Sequence, residues 1–155
     1  MSGVIVPPLA LGANPNSGPK RRANWERRLI WWCDGNRERP FEWGVFDCAL
    51  AAADAVELLT GEDPAAEFRG RYRSAKGALT VIKNSGYGSL EGLVTHQIGK
   101  PLASPKLAQR GDLVLAELDH GPTLLVCVGA QAFGPGVAGL VPVPMARWTR
   151  AWRVG

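Results

Sequence analysis

Cys48 is the residue in this sequence best placed to do chemistry. It lies in FEWGVFDCALAAADAV, where Asp47 can cap a helix and Cys48 falls in that helix's first turn. The positive end of a helix dipole favours thiolate over thiol, which is how many cysteine nucleophiles are prepared. The competing reading makes Cys48 a small apolar side chain packed among Phe46, Leu50 and Ala52, since free cysteine is among the most buried residue types. A nucleophile also needs a base to take its proton, and the sequence holds two histidines, His96 and His120.

Other chemistries find less support. Cys33, Cys48 and Cys127 are an odd number at wide spacings with no C-x-x-C pair, so neither a disulfide framework nor a zinc site is expected, and no cofactor is implied. No glycine-rich loop has the spacing that cradles phosphate. Asp47, Asp54 and Glu57 resemble a carboxylate cluster, but Asp47 has a capping role and the other two fall on the polar side of the helix, where a solvated face is expected. Six tryptophans could stack bases beside Arg27, Arg28, Arg147 and Arg150, yet most sit at core spacing. The net charge of +4 comes from 18 Lys and Arg interspersed with 14 Asp and Glu, so basicity alone does not indicate a nucleic-acid partner. No apolar run reaches the roughly 18 residues that span a bilayer, and the N-terminus lacks signal-peptide order; membrane insertion and export are not expected.

The elements that would position Cys48 follow from caps and periodicity. Residues 1–23 carry four prolines and three glycines without periodicity and read as an extended or flexible arm. Residues 24–155 read as one domain. A first helix is expected from the Asn24 cap through Cys33, with Trp25, Leu29, Trp32 and Cys33 on one face and Gly35 ending it. A second, alanine-rich helix runs from Asp47 to Gly61. Asp63 and Pro64 signal a short third helix, Ser74 opens a fourth that ends at Gly86, and a further helix covers Leu90 to Ile98 and stops at Gly99. After Pro105 the runs GDLVLAEL, TLLVCVGAQAF, AGLVPVPM and RWTRAWRV read as strands of a small antiparallel sheet. Helices followed by strands give an α+β domain with the alanine-rich helix packed on the sheet.

The pair Asp47–Cys48 opening a central helix, followed by RGDLVL at Arg110, Gly111, Asp112, Leu113, Val114 and Leu115 and then a second strand, resembles the NlpC-type papain-like cysteine peptidases. The resemblance implies a papain-like fold with Cys48 as nucleophile and the general-base histidine at the start of the second strand. FEWG, LTGEDPAAEFRGRYRSAKGA and AWRVG are similar to a small family encoded among tail genes of siphophages and prophages. That likeness implies a virion-tail role near the tail tip, assembly in the host cytoplasm, and partners among hub, distal tail or tip subunits. For an active peptidase, peptidoglycan would be the further partner.

The likeness breaks at the base. TLLVCVG puts Thr123 where that family has its histidine, and the orienting polar residue should fall in AFGPGVAGL, which has none. His120 precedes Thr123 by three residues, roughly 10 Å along an extended chain against the roughly 3 Å a base needs. The expectation is a degenerate peptidase scaffold serving as a tail component, with the arm strapping neighbouring subunits; the alternative is an active peptidase or amidase using Cys48 and His120.

Overall fold

The computed structural model describes residues 19–155. The first helix, α1 (Trp25–Asn36), buries Leu29 and Trp32 and packs Trp25 and Cys33 against the core, the face its spacing indicates. It does not stop before Gly35. The helix continues to Asn36, whose Nδ2 also donates to Trp32 O at 2.8 Å, one turn back.

Asp47 is extended and its carboxylate accepts the Leu50 amide at 3.0 Å, which starts α2 (Cys48–Thr60). Gly61 ends it at φ 90°, a left-handed conformation that glycine adopts at least cost. The expected helix after Asp63 is absent: residues 64–70 are consecutive turns, and among their backbone bonds only Arg69 N to Ala65 O spans a full helical turn. Ser74 caps α3 (Ala75–Asn84) and Ser89 caps α4 (Leu90–Ile98), through Gly77 N and Gly92 N, each at 3.0 Å.

Five strands follow: β1 (Leu113–Leu118), β2 (Gly121–Cys127), β3 (Gln131–Gly136), β4 (Gly139–Pro144) and β5 (Trp148–Trp152). The run TLLVCVGAQAF is therefore two strands, folded where Val128 N donates to Gln131 O at 2.9 Å. The sheet is antiparallel in the order β4-β3-β2-β1-β5. Its outermost strands, β4 and β5, are joined by the short turn Met145–Arg147, and Trp148 Nε1 donates to Val143 O at 3.0 Å. A flat sheet would hold its edges far apart, so this one is strongly curled.

Curling buries both faces. Leu113, Leu115, Leu124, Val126 and Trp152 meet α1, α2 and α4, and the small side chains of Ala51, Ala52 and Ala55 let α2 lie close to them. On the other side Val114, Ala116, Leu125, Cys127, Val143 and Trp148 form a second core. Pro142 and Pro144 remove amides from β4, while Leu102 N donates to Ala151 O at 2.8 Å and covers β5.

Of the segment read as an arm, residues 1–18 lie outside the described residues, and with them the strap expectation. Its last residues are tied to the domain: Arg22 N donates to Leu59 O at 2.7 Å, and the Arg21 guanidinium reaches Val154 O at 2.5 Å and Arg110 O at 2.8 Å.

Candidate functional site

Three donors converge on the carboxylate that precedes Cys48. Asp47 Oδ1 accepts Leu50 N, while Oδ2 accepts Gly44 N at 2.9 Å and the Tyr72 hydroxyl at 2.6 Å. Asp47 is fully buried, so each of these bonds offsets the cost of removing a carboxylate from water. Gly44 is at φ 79°, and a Cβ there would lie 2.1 Å from Tyr72 O; no other residue fits. Tyr72's phenol is held protonated by burial and by its bond to Asp47.

Cys48 opens α2 as the sequence indicates, but its acidity runs opposite to the helix-dipole expectation. Burial pushes the thiol up to about 11, and the Asp47 charge adds to the rise; hydrogen bonding by backbone at Leu124, Ala49 and Cys48 itself opposes it without prevailing. The residue keeps some solvent-accessible surface, yet the protein packed around the sulfur decides its charge. At pH 7 about one molecule in ten thousand would carry the thiolate.

The strand opposite Cys48 offers no base. Side chains alternate along β2, so Leu124 and Val126 face α2 and join its core, whereas Thr123, Leu125 and Cys127 point to the other face. Thr123 Oγ1 lies 3.1 Å from His120 Nε2 and donates to Gly121 O at 3.1 Å. The β2 position whose backbone reaches the Cys48 thiol is Leu124, while Thr123, which falls where the peptidase family has its histidine, faces the other side of the sheet. His120 sits exposed in the turn between β1 and β2, bonded to Thr123 on the side away from Cys48. His96, on α4, stacks on Tyr87 with ring centroids 4.1 Å apart, its Nε2 2.9 Å from the tyrosine hydroxyl. Both imidazoles are thus engaged elsewhere, and burial pushes the Cys33 and Cys127 thiols up as well.

Asp112, in the RGDLVL strand, is a second buried carboxylate with a structural environment. It accepts Arg21 Nη2 at 2.9 Å, Arg153 Nε at 3.0 Å, Val154 N at 3.0 Å and Gln109 N at 2.8 Å. This cluster joins the start of the domain, its first strand and the WRVG end. Asp54, expected on a solvated face, instead pairs with Arg69 Nη2 at 2.7 Å, and Arg69 Nε reaches Asp63 at 2.6 Å. Nothing in the local sequence signalled either cluster, because each partner lies in another element. Among the described residues no three His, Cys, Asp or Glu side chains are placed to hold a metal.

A family model described as a domain of unknown function, DUF6950, matches residues 20–154, a span that takes in both Arg21, which closes on Asp112, and Val154, which donates to it. The chain belongs to the DUF6950 family. A search of curated proteins gives no match. In this DUF6950 domain the aspartates of both sequence motifs, Asp47 and Asp112, hold segments together, and neither is free to orient a base.

Proposed function

We propose that this protein is a structural or assembly component of a phage tail, near the tail tip, on a papain-like, NlpC-type scaffold that no longer hydrolyses peptides. The observation that carries the non-catalytic reading is the state of Cys48: a buried thiol pushed up to about 11, with both imidazoles bonded to other partners. A cysteine hydrolase needs thiolate and a positioned base, and this environment favours neither. The tail assignment rests on the likeness of FEWG, LTGEDPAAEFRGRYRSAKGA and AWRVG to siphophage tail-gene products, with hub, distal tail or tip subunits as the partners. Scaffolds outlast the chemistry first placed on them, and buried Asp47 and Asp112 bridge separate segments whether or not Cys48 reacts.

One observation favours a second reading, an active NlpC-type peptidase or amidase acting on cell-wall peptides. Backbone at Leu124, Ala49 and Cys48 is within hydrogen-bonding reach of the thiol, an arrangement suited to stabilising negative charge there. A phage carrying Cys48→Ala separates the two. Unchanged titre, with no hydrolysis of peptidoglycan fragments by purified wild-type protein, is expected. Turnover lost in Cys48→Ala and His120→Ala, or collapse of titre with tails normal by microscopy, would establish the peptidase instead.

A further inference from the structure

The loop ahead of α2 and the turn ahead of α3 enclose an open cleft of about 430 Å³. Trp43 and Val45 line it from the first segment and are 39% and 46% exposed, so indole and isopropyl groups face water there. Trp43 is not loose. Phe41 meets its ring edge-on at a centroid distance of 4.8 Å, and Phe41 N is anchored on Gly136 O at 2.8 Å. Gly70, Tyr72 and Arg73 line the cleft from the second segment.

One buried oxygen holds the two segments at fixed separation. Asp47 Oδ2 accepts Gly44 N from the first and the Tyr72 hydroxyl from the second, and Gly44 packs on Tyr72 O with no space for a Cβ. The cleft is therefore formed before anything enters it, which lowers the ordering cost of binding. Each segment also contributes a charge with no ion-pair partner among the described residues, Glu42 from the first and Arg73 from the second. An exposed tryptophan braced by Phe41, in a cleft also lined by charges of both signs, is an arrangement expected of a binding anchor. Cys48 is not among the residues of this cleft.

We propose that this cleft docks a short extended segment of another protein chain, in which an aliphatic or proline side chain packs on Trp43 and Val45. An acidic residue on one side of it meets Arg73, and a basic residue on the other meets Glu42. The proposal rests on the reading of the protein as a partner-binding component and names the chemistry of the partner.

The test is an amide-shift titration of the ¹⁵N-labelled protein with two blocked peptides, acetyl-Ala-Lys-Pro-Leu-Asp-Ala-amide and its counterpart with Lys and Asp exchanged. At least one should shift residues 42–45 and 70–73 selectively. Replacing its charged residues with serine, or Trp43 with alanine, should weaken binding roughly tenfold. Arg73→Glu, at an exposed position, keeps the result readable if Trp43→Ala perturbs the fold, and should likewise weaken binding. The idea is overturned by an absence of selective shifts with both peptides, by shifts indifferent to Trp43→Ala and Arg73→Glu, or by equal occupancy with free leucine. Failure here leaves the tail reading standing, whereas Cys48-dependent hydrolysis would remove that reading without altering the titration.

Discussion

The Tyr72 hydroxyl donates to Asp47 Oδ2 at 2.6 Å, joining the turn ahead of α3 to the residue that caps α2. Hydrogen bonds to buried charged groups contribute more than neutral ones. Tyr72→Phe should therefore lower unfolding stability by about 2 kcal/mol in urea titration, and Asp47→Ala by more, since it also orphans the Gly44 and Leu50 amides. A loss no larger for Asp47→Ala than for Tyr72→Phe would show that the cap contributes little.

Asp112 is buried beneath Arg21 and Arg153, and removing one member of a buried ionic cluster leaves the rest uncompensated. Asp112→Ala is expected to cost roughly 3–5 kcal/mol, a large share of the stability of an ordinary domain, while Arg153→Ala, at the more exposed partner, costs less. Chemical denaturation ranks the two variants. Equal, small losses would mean that the four bonds on Asp112 contribute little to holding the domain's two ends together.

Alkylation by iodoacetamide should reveal how Cys48 titrates. With its thiol pushed up to about 11, its rate at pH 7 should be roughly two to three orders of magnitude below that of a free thiol and should rise through pH 10. Mass spectrometry of the modified peptide distinguishes it from Cys33 and Cys127. A midpoint below 8 would restore the case for a prepared nucleophile.

The same titration affects stability with a definite sign. The unfolded chain ionises near the ordinary thiol value, while the folded protein keeps Cys48 protonated to about 11. The stabilising contribution is complete below the unfolded pKa and declines as pH rises toward the folded one. Cys48→Ala should make the alkaline loss of stability shallower without abolishing it, because Cys33 and Cys127 are pushed up too. Parallel stability curves for variant and wild type between pH 8 and 10 would contradict this.

Restoring a base tests which face of β2 meets the thiol. Thr123→His should leave the Cys48 alkylation profile unchanged, because that side chain projects to the far core; Leu124→His should lower the midpoint, at a cost of roughly 2–5 kcal/mol for the lost leucine. The reverse pattern would place Thr123 opposite Cys48.

What the sequence determined by itself were features set by near neighbours. Asp47, Ser74 and Ser89 cap three residues ahead in the chain, and Gly61 and Gly99 end their helices, so the bounds of α2 and α4 and the start of α3 were legible, as was the order of helices before sheet. Fidelity fell where a local signal had a distant competitor: Asp63 looks like a cap, but its carboxylate also binds Arg69, and the run after it closes into turns. Tertiary structure alone decided the site. Asp112 gathers Arg21, Arg153 and Val154 from opposite ends of the chain, and Leu124 rather than Thr123 joins the core beneath α2 because a strand's alternation has meaning only once one face is packed. The Cys48 thiol is governed in the same way: the helix terminus that favours thiolate is local and readable, whereas the surrounding protein that removes water from the sulfur is assembled from α2 and β2 together and outweighs it.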